Sequence, residues 1–235
     1  MSNTSLHILN GQCLYDYLET NNLFKEGIYI PFNEAMCVGK VTDLPFTSSF
    51  IAKRPRVHHI TASDYEAITL NPLAPLLQTD LNKHFDEIHL YFDHDMFCQM
   101  NLLTLLAYLD TMHFTGKVNF HLIYTDFINK DLQAIQIYPL SCSGYADIYR
   151  KVFMKKEIPS APLMPVLQKG IRLYLNTFDD DWEVLTFIKE HKNLSDRKLA
   201  ALLLQTFTAY GLGDVQYLDL INKVRLKIEY HYFSI

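Results

Sequence analysis

The run Asp93-His94-Asp95 holds the most chemically capable side chains of the chain, between a strand-like and a helix-like apolar segment. A carboxylate beside an imidazole can orient the ring and adjust its pKa, which suits a general base. We therefore predict a catalytic role for His94, oriented by Asp93. Asp95 is expected to cap the helix that begins at Met96. A structural role alone, with His94 only hydrogen-bonded, is the alternative.

Polar side chains also follow two earlier strand-like segments, residues 6–9 and 27–32. In open parallel sheets, ligands bind beyond the carboxyl ends of the strands, where the loops converge. We therefore expect these residues to share one pocket with the Asp-His-Asp run, and Glu34 to act as a second acid/base group. Gln99 lies four residues after Asp95 and is expected to face the same pocket. The predicted ligand-binding residues from these segments are Asn10, Gly11, Gln12, Asn33, Asp95 and Gln99.

A basic cluster, Lys53-Arg54-Pro55-Arg56, stands out in the otherwise acidic first part of the chain. Guanidinium groups bind phosphate oxygens in pairs, so Lys53, Arg54 and Arg56 could clamp a phosphate above the pocket. Solvated loop charges are the alternative. The sequence has neither G-x-G-x-x-G nor a P-loop motif, and no spacing typical of a metal site. No cofactor or metal is therefore assigned.

Four strand-like segments alternate with helical ones over the first 125 residues. This alternation favours right-handed crossovers and a Rossmann-like, three-layer α/β domain with a mostly parallel sheet. Residues 40–60 are interpreted as an irregular excursion, and Ser63 and Glu66 have capping-box spacing. One more edge strand is expected at 132–138. Helical patterns follow, so we predict an α/β domain over 1–140 and an all-helical subdomain over 141–235. The helices are expected at 144–156, 162–177, 180–191, 196–210 and 214–228.

The composition is that of a globular protein: 235 residues, of which 49% are hydrophobic and 20% charged. No apolar run approaches the roughly 20 residues that cross a bilayer, and the four cysteines lie far apart. We therefore expect a cytoplasmic protein without a disulfide framework that does not bind membranes. Residues 1–150 carry 9 Lys/Arg against 16 Asp/Glu, and residues 151–235 carry 12 against 10. This distribution gives weak support to nucleic-acid binding. Homodimerisation is expected on general grounds only, because symmetric dimers are the commonest soluble oligomers.

Three motifs resemble those of a bacterial family, the domain of unknown function numbered 1835, over about residues 5–125. They are Leu9-Asn10-Gly11, Phe32-Asn33-Glu34 with Gly39, and the run from Asp93 to Leu103. Leu212-Gly213-Asp214 resembles a turn in the helical part of members. The resemblance implies no established reaction, although some relatives are labelled AraC-type transcriptional regulators. Members commonly have Asp where this chain has Gln12, and Gly-Pro where it has Gly39-Lys40. If that Asp is catalytic in members, its replacement by Gln12 favours binding without turnover.

We therefore expect a protein that binds a small polar ligand, phosphorylated or nucleotide-like, at the ends of its parallel strands, with the reaction open. The first alternative is a ligand-responsive regulator whose C-terminal helices contact DNA around the turn Gly211-Leu212-Gly213. Its test residues are Lys223, Arg225 and Lys227, although Asp214 would repel phosphate at the start of the second helix. The second alternative is a non-catalytic interaction module.

Overall fold

A five-stranded sheet organises the N-terminal part of the computed structural model, which describes residues 4–124 and 134–226. The strands occur in the order β2-β1-β3-β4-β5; the first four are parallel and β5 is antiparallel to β4. This sheet confirms the expected Rossmann-like α/β class. The strands are β1 (Ser5–Leu9), β2 (Ile28–Pro31), β3 (Glu87–Phe92), β4 (Lys117–Ile123) and β5 (Ala134–Leu140).

Helices connect the parallel strands and form the part of the chain that follows β5. The connecting helices are α1 (Gln12–Thr20), α2 (Ser48–Val57), α3 (Ala62–Tyr65), α4 (Leu81–His84) and α5 (Met96–Thr111). The C-terminal helices are α6 (Tyr145–Tyr149), α7 (Pro165–Asn176), α8 (Glu183–Glu190), α9 (Asp196–Thr206) and α10 (Asp214–Arg225). Two π-helical turns, Glu66–Leu70 and Arg150–Lys155, extend α3 and α6, and a 3-10 turn spans Thr208–Tyr210.

The two faces of the sheet differ in chemistry because side chains alternate along each strand. On β3, Ile88, Leu90 and Phe92 face a large core that includes α5. The opposite face packs Leu9 and Ile123 against α1 in a second, smaller core. Helices therefore lie on both faces of the sheet. The connections after β1 and after β3 leave on opposite faces, which makes β1/β3 the switch point of the topology.

Helix α5 is buried on nearly all sides, since the sheet lies on one side and the C-terminal helices on the other. Helix α7 approaches α5 closely at Gly170, where a Cβ atom would lie 2.5 Å from Cβ of Gln99. One hydrophobic cluster thus runs from the sheet through α5 into the helical part. It includes Leu102, Leu167 and Leu203. The domain boundary near residue 140 stays a prediction.

Several local expectations need correction. Residues 48–57 form α2 within the predicted excursion; the helix was missed because Pro55 lies inside it, where proline usually breaks a helix. The capping box uses Thr61 and Asp64 instead of Ser63 and Glu66, because the helix begins two residues earlier. The predicted edge strand begins at residues 132–133, outside the described part of the chain, and β5 continues to Leu140. The described part of the last helix ends at Arg225, and residues 227–228 lie outside it.

Candidate functional site

The loops that follow β1 and β3 lie side by side at the switch point. The two strands are neighbours, and the backbone N–H of Asn10 donates to the carbonyl of Tyr91 at 3.1 Å. Because α1 and α5 then leave on opposite faces, the loops separate immediately beyond this bond. Asn10-Gly11 and Asp93-His94 therefore flank the crevice in which such sheets bind ligands.

Asp93 holds the imidazole of His94, as the sequence predicts. Oδ1 of Asp93 accepts from the His94 backbone N–H at 2.6 Å and contacts Nδ1 of the ring. A carboxylate beside Nδ1 favours the tautomer with the proton on that nitrogen, so Nε2 is left as the acceptor. The ring stacks on Tyr124, with centroids 5.3 Å apart and planes at 12°. With 41% of the His94 side chain and 60% of Tyr124 exposed, this pair is open to solvent.

The N-terminus of α1 forms the other side of the crevice. Gly11 occupies its cap position with φ of 88°, and a glycine has no side chain that could accept from the first N–H groups of the helix. Apart from the adjoining residues, no atom of the described part of the chain lies within 4 Å of the place that a Cβ at Gly11 would take. Asn33, which follows β2, donates to Oε1 of Gln12 at 3.0 Å. Gln12 donates in turn to Asp16 at 2.7 Å, so the amides are arranged around the helix start.

Beneath the crevice, the fully buried Asn101 of α5 ties the ends of β1 and β2 together. Its Nδ2 donates to Oδ1 of Asn10 at 3.2 Å and to the carbonyl of Glu34 at 2.8 Å. Its Oδ1 accepts from the backbone N–H of Met36 at 3.0 Å. Sequence reasoning did not single out Asn101. An amide inside an otherwise apolar helix is the signal that would have found it, because buried amides need partners.

Asp95 has the expected capping role and accepts from the backbone N–H of Cys98 at 2.7 Å. Burial raises its pKa, although the hydrogen bonds from Cys98 oppose the shift. Gly211 approaches the carboxylate so closely that a Cβ there would lie 2.3 Å from Oδ1. Gln99 is fully buried, and its Nε2 donates to the carbonyl of Asp93 at 2.6 Å. Asp95 and Gln99 thus support the Asp93-His94 loop from below the crevice.

Glu34 belongs to a separate, buried network. Its carboxylate accepts two hydrogen bonds from Arg54 at 3.1 and 2.5 Å, and one from Tyr65 at 2.7 Å. Nε2 of His58 lies 2.5 Å from the same carboxylate. Burial by itself would raise the pKa of Glu34, but the Arg54 guanidinium and His58 outweigh it and hold the pKa well below its usual range. A carboxylate kept charged in this way is unsuited to be the predicted second acid/base group.

The predicted phosphate clamp is divided by the fold. Arg54 is buried against Glu34, whereas Lys53 and Arg56 are exposed on α2. Arg56 instead lines a cavity of about 500 Å³ between the end of α2 and helix α10. The structure therefore does not bring these three cations together over His94. His58 lines this cavity as well.

Within residues 4–124 and 134–226, no group of three or more His, Cys, Asp or Glu side chains is placed to hold a metal ion. No helix of that same part of the chain is long and apolar enough to cross a membrane. Comparison of the chain with known protein families, curated proteins and solved structures found no match. The resemblance to domain-of-unknown-function family 1835 accordingly stays a prediction that rests on the three sequence motifs.

Proposed function

We propose that this protein binds a small polar ligand at the carboxyl ends of β1 and β3. One observation carries the proposal: at the switch point, Asp93 holds the exposed His94 ring against Tyr124, beside the start of α1, whose cap position is Gly11. Open α/β sheets bind their ligands in this crevice. The reaction, if there is one, is left open.

The groups around the crevice suit a ligand with a planar part and an anionic or carbonyl part. The stacked rings of His94 and Tyr124 offer a flat surface to a nucleobase-like ring. The backbone N–H groups at the start of α1 suit an oxygen with negative charge, as in a phosphate. These two features support the nucleotide-like class of ligand. The amides of Gln12 and Asn33, which are hydrogen-bonded to each other, are further polar groups at the start of α1.

If the bound ligand is turned over, Nε2 of His94 is the proposed proton acceptor, with Asp93 as the positioning residue. Glu34 is left out of this mechanism because its carboxylate is held by Arg54, His58 and Tyr65. Binding without turnover fits the same geometry, since Gln12 stands where members of the family that the chain resembles commonly have a carboxylate. Replacing Gln12 by Asp tests whether that carboxylate restores a reaction.

The test is a thermal-shift screen of the purified chain against nucleoside monophosphates, sugar phosphates and divalent cations. A ligand at 100 times its dissociation constant stabilises the folded state by about 2.7 kcal/mol, which raises the melting temperature measurably. We expect a stabilising compound whose effect is lost in His94→Ala and retained in His84→Ala, which changes an exposed histidine of α4. A compound that stabilises all three proteins equally would place the site elsewhere. A screen in which no compound stabilises the protein would contradict the proposal.

No specific observation favours the DNA-binding alternative. Lys223 lies 3.6 Å from Asp219, and Arg225 lies 2.9 Å from Asp196, so both cations of α10 are engaged within the helical part. The third test residue, Lys227, lies outside the described residues. A mobility-shift assay with the Lys223 and Arg225 variants still tests this alternative, because loss of phosphate contacts would reduce the salt dependence of binding. The interaction-module alternative predicts a blank ligand screen.

A further inference from the structure

A second concave site lies away from the crevice, where the end of α2 faces α10. Its volume of about 500 Å³ is within the range of cavities that hold small organic molecules. Arg56 and His58 contribute from one side, and Val215, Leu218 and Lys223 from the other. The cavity thus joins the α/β part to the helical part. It shares no lining residue with the crevice at His94.

The charges around this cavity leave one cation uncompensated. Asp219 is the acidic group on its wall, and Nζ of Lys223 lies 3.6 Å from that carboxylate. Arg56, by contrast, forms no ion pair with any residue that the structure describes. Much of the remaining wall is apolar, including Val215 and Leu218. A guanidinium at the edge of an apolar cavity suits an anion that carries an apolar body.

The wall at His58 is held in place by the buried network. Nε2 of the ring lies 2.5 Å from Glu34, its plane stacks on Tyr65 at 18°, and 22% of its side chain is exposed. A buried Arg–Glu pair contributes little to stability compared with apolar packing, so stability alone does not account for Arg54 and Glu34. Their position behind His58 fits a second role, that of fixing the imidazole at the edge of the cavity.

We infer that this cavity, which we call the α2–α10 cleft, binds a small organic anion with an apolar body. The anionic group pairs with Arg56, and the apolar part packs on Val215 and Leu218. The His58 ring, whose Nε2 is held by Glu34, forms part of the wall. Glu34 and Arg54 act as positioning residues. This site goes beyond the proposed function, because it differs in place and in ligand chemistry from the crevice between β1 and β3.

Two fluorescent probes with the same ring system test this inference. 8-Anilino-1-naphthalenesulfonate carries a sulfonate, and N-phenyl-1-naphthylamine has the same apolar body without the charge. We expect the protein to bind the sulfonate at least about fivefold more tightly than the amine, because a hydrogen bond to a charged group contributes more than apolar contact alone. Equal affinity for the two probes would overturn the anionic class of ligand.

Two pairs of variants locate the binding. Val215 is 68% exposed on the wall of the cleft, so Val215→Glu and Val215→Gln alter it without disturbing the core. We expect Val215→Glu to weaken sulfonate binding about tenfold relative to Val215→Gln, because the two side chains differ by one charge. Arg56→Gln is expected to weaken binding similarly, and Lys53→Gln, an exposed change on the same helix, to leave it unchanged.

The result that would overturn the inference is sulfonate binding unaffected by both Val215→Glu and Arg56→Gln, since the probe would then occupy another apolar surface. Circular dichroism and melting temperature of each variant establish that it is folded. His94→Ala provides the separation from the proposed function, because it should abolish the stabilisation found in the ligand screen while leaving sulfonate binding unchanged. The experiments can therefore contradict the proposal for one site without contradicting the proposal for the other.

Discussion

The guanidinium of Arg54 forms two hydrogen bonds with the carboxylate of Glu34, and neither side chain has any solvent-exposed surface. Arg54 also donates to the carbonyls of Ala35 and Val38, at 2.9 and 2.8 Å. This one side chain therefore fastens α2 to the loop that follows β2. The pair also affects stability, because the cost of burying each charge is offset by the attraction of the other.

Replacing Arg54 by Met should leave the buried charge of Glu34 without its guanidinium partner, at a cost of about 3–5 kcal/mol in the free energy of unfolding. Urea denaturation measures the loss. The double variant Arg54→Met/Glu34→Gln should recover part of it, because the unpaired charge is gone. Arg150→Met is the control: that arginine pairs with Asp147 at the surface, and its loss should cost less than about 1 kcal/mol. Equal losses for the two single variants would contradict this account.

The same carboxylate should make stability depend on pH. The pKa of Glu34 in the folded protein lies well below 4.5, its ordinary value, so below pH 4.5 the unfolded chain binds a proton that the folded state does not. Its stabilising contribution is therefore present above about pH 5 and is lost as the pH falls. Urea denaturation between pH 3 and 7 should show a smaller decrease for Glu34→Gln than for the unchanged protein. Parallel curves would contradict the prediction.

Gly211→Ala should be more destabilising than Gly144→Ala, although both glycines have positive φ, of 65° and 88°. At either position, the left-handed backbone conformation destabilises a residue that has a Cβ by about 1–2 kcal/mol. At Gly144 a Cβ meets no atom within 4 Å, whereas at Gly211 it collides with the carboxylate of Asp95. Displacing Asp95 would also remove the cap of α5, at a further cost of about 0.5–2 kcal/mol. Thermal denaturation of both variants tests the difference.

His121 should contribute to acid sensitivity on the α1 side of the sheet. Burial, together with the neighbouring His89, lowers its pKa from 6.5 to about 4. Because the unfolded chain takes up its proton first, the stability contributed by neutral His121 is complete above about pH 6.5 and decreases down to about pH 4. The other titratable groups beside His89 are His7, which stacks on its ring, and Glu87, whose carboxylate lies 3.4 Å from its Nε2. Tyr91 stacks on the His121 ring from the same face.

The test of this prediction is His121→Phe, which keeps the stacking on Tyr91 and removes the titrating nitrogens. Its stability should fall less than that of the unchanged protein between pH 6.5 and pH 4. His84→Phe, at an exposed position of α4, should retain the original pH dependence. A variant at His121 that loses stability as steeply as the unchanged protein would show that this imidazole is not the group that titrates.

Alkylation should distinguish Cys13 from the other three cysteines. Cys13 is exposed, whereas burial raises the pKa of the Cys98 and Cys142 thiols, that of Cys142 to about 12. Burial raises the pKa of Cys37 as well. Thiols react as thiolates, so iodoacetamide at pH 8 should add one group to the native protein and four in urea. Mass spectrometry counts the adducts, and rapid labelling of Cys98 in the native state would contradict its buried place beside Asp95.

The positions of the first four strands and of α5 could be predicted because the information for them is local. Alternating apolar residues define β3, and Asp95 supplies the cap of the helix that begins one residue later. The contact between Asp93 and His94 is local in the same sense, because the residues are adjacent. The broader class also followed, since strands that alternate with helices favour a parallel sheet.

The partners of Glu34 depend on contacts between residues distant in sequence. Arg54 is 20 residues away and His58 is 24 residues away, within a segment whose internal proline predicts an irregular loop. Only tertiary packing buries them together. Because of that burial, the predicted acid/base residue Glu34 stays ionised at neutral pH and holds α2 in place. Arg56 is left facing the α2–α10 cleft.

By itself, then, the amino-acid sequence determined which residues follow the first four strands and that Asp95 caps α5, because hydrophobic alternation and capping act over a few residues. Tertiary structure alone decided which of those polar groups meet. Asn101 joins the ends of β1 and β2, and Gly211 packs on Asp95 from 116 positions further along the chain. The physical reason is that burial and charge pairing depend on distance in space, which a pattern along the chain does not encode.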